Sequence, residues 1–190
     1  MSNNKPENTL FEHLDYSGKN LTKKEFENCT FSHCNFSDSD LANTSFSDCE
    51  FGNCNFSNAK TRNTSLKNVK FRNCKLLGIS INECNTFLLS LDFVNCQLNL
   101  SSFYKLKLKN TRFINCILHE VDFTEADLTA AKFENCDLQR TIFANTILEK
   151  SDFRTAFNYS IDPEINRIKK AKFSLPGVLG LLAKYAIEID

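Results

Sequence analysis

Nine cysteines are the side chains of this 190-residue sequence with the greatest potential for chemistry. Four of them lie close together in the chain: Cys29, Cys34, Cys49 and Cys54. Thiolates are preferred ligands of Zn²⁺ and exchange disulfides when they are accessible, so a metal site and a redox site are both options. A secreted disulfide framework fits less well, because the number of cysteines is odd and Met1 to Leu10 lacks the basic-then-apolar layout of an export signal. The positions of the cysteines in the fold must decide what they do.

Other groups that could carry catalysis are scarce. The chain has three histidines, His13, His33 and His119. It has no glycine-rich phosphate loop, no His-Glu metal motif and no nucleophile elbow. We therefore expect no enzyme activity, no cofactor and no metal.

A period of five residues positions the cysteines. Reading every fifth residue from Phe11 to Ile81 gives bulky apolar side chains, with Thr61 as the exception. The series slips by two residues within Asn82 to Phe87 and resumes from Leu88 to Phe153, so that 15 of the 18 phenylalanines share the register. Eight of the nine cysteines stand two residues before a bulky apolar one, and Cys84, within the slip, stands two residues before Thr86. A helix repeats its face every 3.6 residues and a strand every 2, so neither explains this spacing.

The pattern resembles the pentapeptide-repeat family, whose unit is a small residue, Asp or Asn, Leu or Phe, and two variable residues. The match runs from about Leu10 to Ala156, and Ala126 to Leu138 (ADLTAAKFENCDL) fits it closely. The resemblance implies an all-β fold, a right-handed quadrilateral parallel β-helix with four pentapeptides per coil, here roughly seven coils. We expect a flexible N-terminus over 1–9, the β-helix over 10–157, and a C-terminal α-helical capping and dimerisation module over 158–190.

Four pentapeptides per coil predict that residues twenty apart stack in columns, with one step of 22 at the slip. One column is then phenylalanine throughout: Phe11, Phe31, Phe51, Phe71, Phe93, Phe113, Phe133 and Phe153. A second is a cysteine ladder: Cys34, Cys54, Cys74, Cys96, Cys116 and Cys136. Buried free cysteine behaves as a small hydrophobe, so we interpret the ladder as structural packing rather than as a metal or redox site. The frequent Asn and Asp in the second polar position favour corners, because they tolerate turn geometry.

The last 33 residues leave the repeat. Ser174 and Pro176 predict the start of a helix, and an apolar stripe follows it. An open β-helix end must be covered, so capping is the first role expected of this segment. The apolar residues expected to form a dimer interface are Val178, Leu179, Leu181, Leu182 and Tyr185.

The chain carries 23 basic and 23 acidic residues. Zero net charge argues against a general nucleic-acid binder or a polybasic membrane-surface protein, so we expect no direct nucleic-acid contact. No apolar run approaches the length of a membrane helix, and a cytoplasmic location is the default. Along the sequence, acidic ends enclose a basic belt, which is either a solubilising mixture or a set of binding patches. The candidate partner-binding acidic surface comprises Glu120, Asp122, Glu125, Asp127, Glu134 and Asp137.

The segment Ile161 to Ile168 (IDPEINRI) and the final leucine-rich helix make the chain similar to the Qnr-type and microcin-immunity branch of the family. That resemblance implies a homodimer joined through the C-terminal module. It also implies a rod that mimics DNA, binds DNA gyrase or topoisomerase IV, and protects it from quinolones or peptide toxins. The alternative is a protein-binding scaffold unrelated to topoisomerases, because a fold does not determine a function.

Overall fold

Short parallel strands wound into a solenoid make up most of the molecule. The computed structural model describes residues 6–188 and confirms the predicted parallel β-helix. Its strands are β1 (Leu10–Glu12), β2 (Glu25–Glu27), β3 (Thr30–Ser32), β4 (Ser45–Ser47), β5 (Glu50–Gly52), β6 (Ser65–Lys67), β7 (Val69–Arg72), β8 (Leu91–Val94), β9 (Arg112–Ile114) and β10 (Lys132–Glu134). Of the segment 1–9 expected to be flexible, residues 1–5 lie outside the described residues, and Glu7 forms a parallel bridge with Glu27.

Each strand pairs with the strand one coil away. Seven strands form one sheet in the order β1-β3-β5-β7-β8-β9-β10, and three form a second in the order β2-β4-β6. Phe31 lies opposite Phe51, and isolated bridges such as Asn35 with Asn55 connect the other sides in the same register. We number the four sides of the tube by their inward columns: face 1 contains Phe31, face 2 Phe36, face 3 Leu41 and face 4 Phe46.

Aromatic rings fill the tube in two arrangements. Rings in one column stack, as for Phe113 and Phe133, whose centroids are 5.0 Å apart with planes at 4°. Rings of opposite faces meet edge to face across the tube, as for Phe113 and Phe123 at 5.8 Å and 78°. Both are preferred geometries for aromatic pairs. The face 1 column continues to Phe173, which stacks 5.5 Å from Phe153.

The two-residue slip is a local bulge at the corner between faces 4 and 1. Phe71 lies opposite Phe93, a step of 22, and their rings still stack at 5.4 Å. The extra length projects outward, so that Phe87 is 67% and Leu88 63% exposed. Leu89 packs against the core in their place. The column therefore passes the bulge without interruption.

Corners recur at every fifth residue and use left-handed backbone. Asn53, Asn73, Asn95, Asn115 and Asn135 all have φ between 52° and 55°. Asn is one of the few non-glycine residues that adopt this conformation readily. The amides from Asn73 to Asn135 also hydrogen-bond from coil to coil at 3.0 to 3.1 Å. This explains how the chain turns so many corners with only 5 glycines.

The small inward residues donate hydrogen bonds as well as filling space. The Cys96 thiol donates to the Phe71 carbonyl of the preceding coil at 3.4 Å, and the rest of the ladder repeats this contact. Thr141 and Ser151 make the equivalent bond on other faces. All nine cysteines are buried and free of disulfides. Burial raises the pKa of the Cys49 thiol to about 11, so this thiol stays protonated at neutral pH.

Solenoid pairing continues beyond the boundary expected at 157. Ile147 bridges Arg167, and Asp152 bridges Lys172. The side-chain pattern lapses in this last coil, because Asn158 is exposed and the adjacent Tyr159 is buried instead. The backbone of the β-helix therefore continues beyond the residue at which the pentapeptide sequence pattern ends.

A short helical segment covers the C-terminal end. It consists of a 3-10 turn (Pro176–Val178), helix α1 (Leu179–Leu182) and a second 3-10 turn (Ala183–Tyr185). The Ile161 N–H donates to the Gly180 carbonyl at 3.0 Å, and Leu181 packs against the core. A side chain at Gly180 would collide with Tyr159, so glycine permits this close approach. Among the described residues, no helix combines the length and apolarity needed to cross a membrane.

Candidate partner-binding surface

The six acidic residues predicted to form one binding surface encircle the tube instead. Asp137 lies on face 2, Asp122 on face 3, Asp127 on face 4 and Glu134 on face 1. Glu120 and Glu125 occupy corners. The physical reason is the winding itself, because each pentapeptide moves the chain to the next face. Neighbours in sequence therefore point in different directions.

Most of these carboxylates have a basic partner in an adjacent coil. Glu120 lies 3.3 Å from Arg140, Glu125 3.4 Å from Lys105, Asp127 3.3 Å from Lys109, and Asp137 2.7 Å from His119. Partial burial disfavours ionisation of Asp137, but hydrogen bonds from His119 and Asn158 outweigh it and hold the pKa of Asp137 below its usual value. The pairs of Glu120 and Glu125 are solvent-exposed, so they lower the local charge without removing it.

Charge in the C-terminal half is divided across the tube. Six acids lie on faces 2 and 3 and their corners, and we name this group the acidic edge: Glu120, Asp122, Glu125, Asp137, Asp162 and Glu164. Five more lie on faces 4 and 1, where bases outnumber them: Asp92, Asp127, Glu134, Glu149 and Asp152. Bases concentrate on the opposite side, around the corner between faces 4 and 1. Counting charge along the sequence missed this division, because it sums over all four faces. Listing outward residues at intervals of twenty would have revealed it.

The five residues predicted to form a dimer interface have different surroundings. Val178 and Leu179 are exposed, with Leu179 at 53%, and Leu182 is half-buried. Leu181 packs against the core of its own chain. The Tyr185 hydroxyl donates to Glu164 at 2.8 Å, so this ring is held on the last coil. Sequence reasoning did not single out Phe157 and Leu175, which are also exposed on this part of the molecule.

A charged clasp fastens the tail to the last coil. The Lys184 ammonium lies 2.7 Å from Asp162 and 2.6 Å from Glu164. The hydrogen bond from Lys184 lowers the pKa of both carboxyl groups, and Tyr185 contributes to the shift at Glu164. The clasp positions the exposed face of α1 relative to the end of the tube.

The described part of the chain contains no convergent set of metal ligands. Within residues 6–188, no group of three or more His, Cys, Asp or Glu side chains is arranged to hold an ion. His13 and His33 stack with ring centroids 4.9 Å apart at a corner, and His33 shares a 2.9 Å hydrogen bond with Ser32. The features available for function are therefore the charged and apolar outer surfaces.

The family model named "Pentapeptide repeat region" matches residues 24–91 and 86–156, well over half of the sequence. The chain belongs to the pentapeptide-repeat family. No curated protein matches it significantly.

Solved structures of QnrB1, described as a plasmid-mediated fluoroquinolone resistance protein, share the fold. A trypsin-treated variant matches with a TM-score of 0.71 at 18% identity, covering 99% of this chain and 92% of that one. Full-length QnrB1 matches with a TM-score of 0.54 at 17% identity, covering 95% of this chain and 99% of that one. A second trypsin-treated variant gives 0.59 at 22% identity, with 97% and 88% covered.

Proposed function

We propose that this protein is a non-enzymatic binding rod whose partner is a type II topoisomerase, DNA gyrase or topoisomerase IV. In this role it protects the enzyme from quinolones or peptide toxins. The observation that carries the proposal is the extent of the likeness to QnrB1, which spans nearly the whole of both chains. The likeness thus includes the tail as well as the repeats.

The acidic edge supplies the electrostatic part of the proposal. A protein that occupies a DNA-binding saddle must present carboxylates to basic residues. Asp122 places one of them on face 3, and Asp162 and Glu164, which share the single charge of Lys184, add two more towards the C-terminal end. Because bases outnumber acids on faces 4 and 1, faces 2 and 3 are the side of the rod that suits a basic saddle.

Dimerisation would lengthen this surface. Leu175, Val178 and Leu179 are exposed at 88%, 37% and 53%, an apolar group that a second copy would cover. A two-fold axis through the tail would bring the acidic edges of the two copies close to each other at the dimer interface. The proposed active species is therefore a homodimer joined through the C-terminal module.

Gyrase supercoiling with the purified protein tests the proposal. At micromolar concentrations of the dimer, the wild-type chain should restore supercoiling in the presence of a quinolone or a peptide toxin. The variant E120Q/D122N/E125Q removes three charges from the acidic edge and should reduce rescue by at least tenfold. Its matched control, D92N/D127N/E134Q, removes three charges from faces 1 and 4 and should retain rescue.

Two outcomes of these assays would contradict parts of the proposal. Absence of rescue by the wild-type chain would contradict topoisomerase protection. Equal loss in both triple variants would show that the acidic edge is not the contact surface.

The second candidate function is a protein-binding scaffold with a different partner. It is favoured by the ion pairs of Glu120 with Arg140 and of Glu125 with Lys105, because such pairs weaken a DNA-like charge pattern. A wild-type chain that is dimeric and folded but shows no affinity for gyrase or topoisomerase IV would favour this candidate.

A further inference from the structure

We infer that the corner between faces 4 and 1 is a nucleic-acid-binding surface that contacts the phosphate backbone. We name it the basic edge, and it comprises Lys67, Lys70, Arg112, Lys132, Lys150, Lys169, Lys170 and Lys172. Register places four of these in one outward column of face 1, since Lys70, Asp92, Arg112, Lys132, Asp152 and Lys172 are successive partners. Lys150 and Lys170 occupy the adjoining corner, one coil apart.

The lysines at the C-terminal end of this edge are available to a ligand. Lys132, Lys150, Lys169, Lys170 and Lys172 are exposed, and none forms an ion pair within the described residues. Two of the nearby carboxylates are already engaged by arginines, because Asp152 lies 2.7 Å from Arg154 and Glu149 lies 2.6 Å from Arg167. The cluster therefore retains its positive charge.

The spacing of these cations suits a regular polyanion. Successive coils rise by about 4.8 Å, so the column from Lys70 to Lys172 extends over roughly 24 Å in a straight line. Nucleic acid presents evenly spaced phosphates along such a line, whereas an acidic protein segment presents irregular charges.

An exposed aromatic ring at the same corner favours nucleic acid further. The bulge holds Phe87 out at 67% exposure, and the Lys67 ammonium lies 5.6 Å from its ring centroid. Aromatic rings beside basic residues are the standard platform on which unpaired bases stack. We therefore expect single strands to bind more tightly than duplexes of the same length.

A nucleic-acid-binding surface is compatible with a net charge of zero, because the acidic and the basic edge lie on different sides of the tube. The composition argued against nucleic-acid binding because it summed the acidic and basic edges. In the fold these edges lie on opposite sides of the tube, and salt screens exposed charges beyond about 8 Å at physiological ionic strength. A ligand on one edge is therefore little affected by the other.

Fluorescence anisotropy with labelled 20-nucleotide oligothymidine, as a single strand and as a duplex with oligoadenine, tests the inference. With about five phosphate contacts, affinity should fall by about a hundredfold for the single strand and by a few hundredfold for the duplex between 50 and 200 mM salt. The variant K150Q/K169Q/K170Q/K172Q should bind at least tenfold more weakly at 50 mM salt. The matched control K23Q/K24Q/K60Q/R62Q removes four charges elsewhere and should bind as the wild type does, with circular dichroism verifying both folds.

Three outcomes would overturn the inference. The first is an absence of binding to either oligonucleotide at 50 mM salt and micromolar protein. The second is equal weakening in the two quadruple variants, which would indicate diffuse attraction. The third is displacement of the oligonucleotide by an equal charge concentration of polyglutamate, which would identify an acidic protein as the ligand.

Discussion

At the scale of single residues, the small inward positions combine two requirements. They must leave room for the aromatic columns, and they must satisfy a carbonyl group of the preceding coil. Cys96 and Ser151 meet both, since each is buried and each donates to a backbone carbonyl. Because a buried carbonyl without a donor is costly, hydrogen-bonding capacity and size together explain why Cys, Ser and Thr recur there.

Substitutions at Cys96 separate these two requirements. Cys96→Ala removes the donor to Phe71 and leaves a small cavity, and should lower the free energy of unfolding by about 1 to 2 kcal/mol. Cys96→Ser keeps a donor and should cost less than Cys96→Ala. Urea unfolding followed by circular dichroism measures both.

Cys84 provides the matched control for this pair. It is buried, but within the described residues its thiol donates to no backbone carbonyl. Cys84→Ser should therefore cost at least as much as Cys84→Ala. If serine is worse than alanine at both positions, the thiols act through apolar packing alone.

At the scale of elements, the tail is held to the last coil by charge as well as by packing. Lys184 contacts both Asp162 and Glu164, and the Ile161 N–H bonds to Gly180 in α1. The pKa values of both carboxyl groups are lowered in the folded chain. The clasp is therefore complete above their ordinary values of 3.8 and 4.5, and it is lost as the pH falls through the lower, folded values.

Hydrogen exchange tests this pH dependence. Protection of the Ile161 amide, corrected for the intrinsic exchange rate, should be constant from pH 7 to about 5 and should fall below about pH 4. Lys184→Met should show the reduced protection already at pH 7, whereas Lys169→Met, at a lysine without an ion pair within the described residues, should not. A clasp that is unimportant would give the same protection in all three chains.

At the scale of the whole molecule, the sequence predicts the features that follow directly from the five-residue repeat. The columns and their step of 22 follow from inward positions that apolar side chains fill, with Thr61 as the buried exception. The last coil was missed because Asn158 breaks the pattern, although Phe173, twenty residues after Phe153, carries its signal. The clasp between Lys184 and Asp162 could not be predicted, since it depends on how the tail folds back. The two charged edges required both the register and the assignment of faces.

Self-association is the property that this architecture predicts for the intact rod. The chain of 21.7 kDa should sediment with twice that mass at micromolar concentration. Leu179→Glu places a charge in the apolar surface of the tail and should weaken the dimer by on the order of 100-fold. Phe87→Glu is the control, because it changes another exposed apolar residue, on the side of the tube, and should leave the mass unchanged. A monomeric wild-type chain would remove the dimer from the proposed function, and a dimer sensitive to Phe87→Glu but not to Leu179→Glu would move its interface to the bulge.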